Sequence, residues 1–188
     1  KQLHDFDFTF QPSLRRDQME SLHELGFVER RENVIFLGPP GVGKTHLAVA
    51  VLRELVTQKG ARGQFWDFHE LIREIKSSYD PETKTTELMV LEPVVETDVL
   101  LLDDLGAWKM TDWMNDTLFY ILNSRYMAKR PTLITTNYQD VTREEALAAD
   151  PLTAALFQGH VLMGLFNQLA AWGWMAARDD GAALAIGV

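Results

Sequence analysis

GPPGVGKT, Gly38 to Thr45, carries glycines, a lysine and a threonine at the spacing that wraps a chain around phosphate. The glycines let backbone N–H groups curl around phosphate oxygens, and a helix starting near Lys44 aims its positive end at the same place. In this pattern Lys44 reaches the β- and γ-phosphates of a nucleoside triphosphate, and the Thr45 hydroxyl ligates Mg2+. By average residue usage the pattern arises by chance in well under about one in a hundred chains of this size. Gly38, Pro39, Pro40, Gly41, Val42, Gly43, Lys44, Thr45 and His46 are therefore the expected nucleotide-contacting residues.

VLLLDDLG, Val99 to Gly106, ends a run of large aliphatic residues with two aspartates. A buried carboxylate is expensive unless it is paired, hydrogen-bonded or bound to a metal. Asp103 is expected to hold Mg2+, which offsets its burial. Asp104 points the other way in a regular pleat, but at a strand end it can swing toward the γ-phosphate. A second carboxylate there orients or deprotonates an attacking water, so two acids suggest hydrolysis rather than transfer to a hydroxyl substrate. Asn137, which ends TLITTN, is expected to hold that water beside Asp104, with an ordinary strand-end turn as the competing reading. Lys44, Asp104 and Asn137 form the expected catalytic set; Thr45 and Asp103 are the expected metal ligands.

These residues need a scaffold, and the flanking patterns supply one. NVIFL before the glycine-rich turn is an apolar run of strand length, and HLAVAVLRELVTQK after it is a helix closed by Gly60. GQFWDF predicts a strand and HELIREIKSSY a helix stopped by Asp80-Pro81. A short helix around Glu87 to Leu91 leads through Pro93 to a strand over Val99–Leu102. Thr111 caps a long helix whose apolar stripe is Trp113, Met114, Leu118, Ile121 and Leu122. TLITT after Pro131 is another strand. Strands alternating with helices imply an α/β fold with a mainly parallel sheet covered on both faces. Upstream, Phe6, Phe8 and Phe10 alternate along an extended segment, and a helix over Arg16 to Leu25 is expected to end at Gly26.

At 188 residues, 46% hydrophobic and 24% charged, the chain has the make-up of an ordinary globule. It contains no cysteine, which excludes disulfides and thiolate metal sites and fits a cytoplasmic home. The opening KQLHDFDFTF lacks the apolar core of a signal peptide. A net charge of −9 argues against a large self-sufficient nucleic-acid surface, so DNA contact would need a localised site or several subunits together. Leu152 to Ala177 contains no charge, but Gln158, His160, Asn167 and Gln168 argue against a membrane span, and no membrane partner is expected. Trp108, Lys109 and Trp113 either stack on a nucleic-acid strand or pack together, and packing is the favoured reading.

The wording GPPGVGKTHLA, LLLDDLG, NSRY and LITTN resembles an AAA+ P-loop ATPase of the family of DnaC-type helicase loaders and IstB-type transposition ATPases, over roughly Phe27 to Asn137. That resemblance implies a P-loop NTPase sheet of order 5-1-4-3-2, ATP with Mg2+, and ATP-dependent assembly around single-stranded DNA or on a DNA-bound partner, a replicative helicase or a transposase. Gly38, Gly41, Gly43, Lys44 and Thr45 match its Walker A motif, Asp103 and Asp104 its Walker B, and Asn137 its sensor 1. The Asp-Asp pair, where IstB proteins commonly have Asp-Glu, tilts the reading toward a helicase-loader role in DNA replication, with the IstB-like transposition role as the alternative. Residues 1–26 then form an N-terminal linker segment, 27–140 the nucleotide-binding core and 141–188 a divergent C-terminal helical segment.

One family feature is missing. The resemblance implies an arginine shortly after sensor 1 that completes a neighbouring subunit's site, yet His160 stands about there and only Arg143 and Arg178 follow Asn137. Arg125 in NSRY falls near its helix's apolar stripe, where it either snorkels to the surface or reaches a neighbouring subunit. Without a trans arginine, a nucleotide-gated binding module that hydrolyses little stands as a rival to the ATPase. A small-molecule kinase would want an arginine-bearing lid and an acceptor pocket, and neither is evident.

Overall fold

NVIFL, VLLLDDL and TLITT are too short and too rich in branched aliphatic residues to be anything but buried strands, and so they fold. The computed structural model describes residues 22, 24–107, 110–137 and 183–187. Among the described residues five strands, β1 (Asn33–Leu37), β2 (Gly63–Asp67), β3 (Val99–Leu105), β4 (Thr132–Thr136) and β5 (Ala183–Gly187), form one sheet in the order β5-β1-β4-β3-β2. Every neighbouring pair is parallel. This is the order 5-1-4-3-2 that the resemblance implied.

Helices described in full are α1 (Gly26–Glu29), α2 (Lys44–Lys59), α3 (Phe68–Ser77), α4 (Glu87–Glu96) and α5 (Asp112–Met127). Alternation along β3 divides the core between the two faces. Leu100 and Leu102 pack with Leu71, Ile75, Val94, Leu118 and Ile121 from α3, α4 and α5. Val99 and Leu101 pack with Phe27, Leu47, Val51 and Leu55 from α1 and α2. Side-chain caps open three helices: Asp67 accepts from Glu70 N–H, Thr86 from Met89 N–H and Thr111 from Met114 N–H. Among the described residues no helix is long and apolar enough to cross a membrane.

The structure departs from the sequence patterns at several points. Gly26 opens α1 instead of ending a helix, because Leu25 takes the left-handed turn itself (φ 55°) and is held there by burial beside Leu22 and Phe27. Asp67 ends β2, so Phe68 belongs to α3. β3 runs on through both aspartates to Leu105. α4 continues through Pro93 to Glu96: the proline forfeits one backbone hydrogen bond, and burial of Val90, Leu91 and Val94 on either side outweighs it. The expected helical character of 141–188 lies mostly outside the described residues, and its described stretch, Ala183–Gly187, is a strand along β1. Phe6, Phe8, Phe10 and most of the expected 16–25 helix also lie outside them.

Arg125 does neither thing expected of it. It is fully buried (0% exposed) and points inward. Its guanidinium donates to the carbonyls of Val94 (3.1 Å), Val95 (3.2 Å), Thr97 (2.8 Å) and Pro131 (2.7 Å), and to Thr132 Oγ1 (2.9 Å). It thereby caps the C-terminal carbonyls of α4 and ties them to the starts of β3 and β4. Burial, and secondarily Arg130, pull its pKa down to about 9 while Asp98 pulls the other way, which leaves it charged at neutral pH. Arg125→Met strands several buried carbonyls at about 1–3 kcal/mol each, so unfolding free energy should fall by about 4 kcal/mol or more. Arg125→Lys should recover little, since an ammonium cannot reproduce the planar fork. Urea denaturation checks this; wild-type stability in Arg125→Met would show that the hydrogen bonds hold nothing.

Candidate nucleotide-binding site

β1 delivers the chain into the Gly38–Thr45 loop, and α2 leaves it. Gly41 (φ 84°) and Gly43 (φ 96°) adopt left-handed conformations in open space, since a Cβ built on either meets nothing within 4 Å. Glycine is needed there for backbone shape rather than for room. Gly43 is also the N-cap of α2 and offers no side chain to its first-turn N–H groups. Those donors, at the positive end of a 16-residue helix, form an anion site.

Lys44 is 6% exposed, and its ammonium spends its donors on Gly38 O (2.9 Å), Pro39 O (2.7 Å) and Asn137 Oδ1 (3.0 Å). Burial lowers its pKa, and the Asp104 and Asp103 carboxylates partly offset that. Asn137 turns its other end to the acids, with Nδ2 donating to Asp104 Oδ1 at 2.8 Å. One amide thus bridges a cation and an anion, each on its complementary atom.

At the end of β3 the pairing with β4 steps from Leu102↔Ile134 to Leu105↔Thr136, so Asp103 and Asp104 together oppose one residue. Asp104 sits at φ 57°, a conformation that costs most residues about 1–2 kcal/mol. This bulge corrects the expectation of a side chain swinging free at a strand end: the backbone itself turns, and both acids line one cavity. Thr135 Oγ1 accepts from Asp104 N–H (2.9 Å) and donates to Asp103 Oδ1 (2.5 Å), while Thr136 Oγ1 donates to Leu105 O (2.7 Å).

The cavity, about 700 Å³, is lined by Pro40, Gly41, Gly43, Lys44, Thr45, His46, Asp103, Asp104 and Asn137, all anticipated from sequence. Gly38 and Pro39 contribute through their carbonyls to Lys44, whereas Val42 packs against the core beside α2. Thr135, Asp67 and Arg53 also line it and were missed. Thr135 was findable, two residues before Asn137 and hence on the same face of a strand. Asp67 pairs laterally with Asp103, which only the sheet order reveals. Trp113 packs edge-on with Tyr79 (6.2 Å) beneath the Lys76 ammonium (5.4 Å); the expected packing of Trp113 with Trp108 lies outside the described residues. Trp108, Lys109, Arg143, His160 and Arg178 lie outside the described residues.

The donor set suits a triphosphate with a hard divalent cation: backbone N–H groups and a lysine for phosphate, a threonine hydroxyl and carboxylates for metal. No three His, Cys, Asp or Glu side chains form a metal cage among the described residues.

A parallel 5-1-4-3-2 sheet with a glycine-rich loop after β1 and acids at the end of β3 defines an AAA+ P-loop ATP-binding domain. Comparisons narrow this further. The family model for IstB-like ATP binding proteins matches residues 1–162, and the chain belongs to that family. The insertion sequence IS21 protein of Pseudomonas aeruginosa, described as ATP-binding, is 40% identical over 137 residues, 73% of this chain and 50% of that protein. The replicative helicase loader DnaI of Bacillus subtilis is 31% identical over 123 residues, 65% of this chain and 37% of its own length. A crystal structure of the DnaC helicase loader superposes with a TM-score of 0.65 at 29% identity, covering 98% of this chain and 96% of that one. The chain spans about half the length of the insertion-sequence relatives it matches.

Gly43→Ala should cost about 1–2 kcal/mol of stability through backbone strain alone and weaken nucleotide binding. Thermal unfolding together with a fluorescent-nucleotide titration checks both. Unchanged values in the alanine variant would mean that the left-handed turn is dispensable.

Proposed function

We propose that this chain binds and hydrolyses ATP, and that its nucleotide state controls assembly on DNA with a partner protein. The observation that carries this reading is the continuous chain Lys44–Asn137–Asp104 beside Asp103 in one cavity at the phosphate loop. Lys44 and the N-terminus of α2 would bind the β- and γ-phosphates, and Thr45 with Asp103 would hold Mg2+. Bound Mg2+ supplies charge neutralisation on the phosphate oxygens. Asp104 is the group to orient and deprotonate water, and Asn137 fixes its carboxylate.

The partner in this reading is a transposase, supported by 40% identity to an insertion-sequence protein against 31% to a helicase loader. Helicase loading is the second reading, favoured by the near-complete overlap with the DnaC structure and by the Asp103-Asp104 pair. In either role single-stranded DNA is a candidate ligand for an assembled form rather than for one subunit, given the net charge of −9, and the working place is the cytoplasm.

The test is ATP turnover against protein concentration, with and without single-stranded DNA, and with Lys44→Ala as the blank. Turnover per subunit should climb with concentration or DNA as composite sites form. Turnover equal to the blank throughout, in a protein that still binds ATP, would replace hydrolysis by nucleotide-gated binding. Stimulation by a purified replicative helicase and not by a transposase would reverse the choice of partner.

A further inference from the structure

The β3 bulge sets Asp103 and Asp104 against a single residue of β4, Thr135. A bulge leaves a backbone group without its ladder partner. Here the donor in question is the Asp104 amide, and the Thr135 hydroxyl receives it at 2.9 Å. A hydroxyl has one proton and acceptor lone pairs. Since the amide can only donate, the hydroxyl proton is directed elsewhere, and it goes to Asp103 Oδ1 at 2.5 Å. Thr135 is 1% exposed and Asp103 7%, so water does not compete readily for either bond.

One side chain therefore fixes both acids by different means. It holds Asp103 by its carboxylate, with Oδ1 engaged and Oδ2 left for a ligand. It holds Asp104 by its backbone, in the left-handed conformation from which the carboxylate meets Asn137. Thr136 clamps the same bulge through Leu105 O without an aspartate as its hydrogen-bond acceptor, which makes it an internal control.

We propose that Thr135 is a positioning residue for the metal and water side of this site: its hydroxyl sets the geometry in which Asp103 can ligate a divalent cation. The inference rests on the roles given to Asp103 and Asp104 under Proposed function. Thr135→Val keeps the shape and β-branching and removes only the hydroxyl. Thr135→Ser keeps the hydroxyl.

The experiment titrates Mg2+ into each protein with a fluorescent, non-hydrolysable ATP analogue, and follows thermal unfolding in parallel. Thr135→Val should raise the Mg2+ midpoint by about 10–100-fold, the range for losing an outer partner of a metal ligand. Thr135→Ser should restore it to within about threefold, an order-of-magnitude allowance for context. Analogue affinity in EDTA, set by the phosphate loop, should not change. An unchanged midpoint in folded Thr135→Val overturns the proposal, and so does an equal rise in Thr136→Val. Should Thr135→Val fail to fold, Thr135→Cys keeps the volume with a much weaker donor. The same rise is then expected, and an unchanged midpoint overturns the proposal. Wild-type protein that binds no analogue with or without Mg2+ would sink the ATP-site reading and this inference with it, whereas normal Mg2+-dependent binding with an unaltered valine variant sinks only the inference.

Discussion

A β-strand shows successive side chains to opposite faces, so neighbouring aspartates can share a cavity only where the pleat is broken. β3 is broken there by one residue, between Leu102 and Leu105, and the features around the site follow from it. The extra residue needs a left-handed backbone at Asp104 and a substitute partner for its amide. It also brings the Asp104 carboxylate to the amide of Asn137, whose oxygen meets Lys44. Upstream of the break, Val99 to Leu102 are buried on both faces between α2 and the α3–α4–α5 layer, which leaves the strand no freedom to shift register and relieve the strain.

The other ends of β3 and β4 are organised around a buried cation. Arg125 joins the C-terminus of α4 to both strand starts through carbonyls and a threonine hydroxyl. The negative end of a helix dipole and a ring of carbonyl oxygens take the place of a counter-ion. The same two strands thus carry a rigid polar knot at one end and the cavity-lining acids and Thr135 at the other. Between the knots lies only packed hydrocarbon.

The parts of this arrangement that were legible in the sequence are local. The Gly38–Thr45 spacing, the acids ending an aliphatic run, the Thr111 cap and the polar end of TLITTN each declare themselves within about a dozen residues of chain. The illegible parts are those whose partners come from far away. Arg125 looks misplaced on an apolar stripe until the carbonyls of 94–97 and 131 are brought to it by the fold. Asp67 reads as a helix cap, which it is, and becomes a cavity residue only because β2 lies beside β3. Leu25 and Asp104 take a conformation that a sequence pattern assigns to glycine. In one case burial holds it, in the other a hydrogen-bond network does. Pro93 marks a helix end by composition, and the hydrophobic edge around it says otherwise.

Lys44 belongs to two structures at once. It lies in the phosphate loop through Gly38 and Pro39, and in the acid network through Asn137. It is also a positive charge acting on both Asp104 and Asp103. Replacing it therefore removes the group proposed to bind phosphate and, in the same stroke, the cation facing two carboxylates that lie within one cavity. A lysine substitution in this loop is two lesions, and the backbone change at Gly43 is the one that leaves the aspartates their cation.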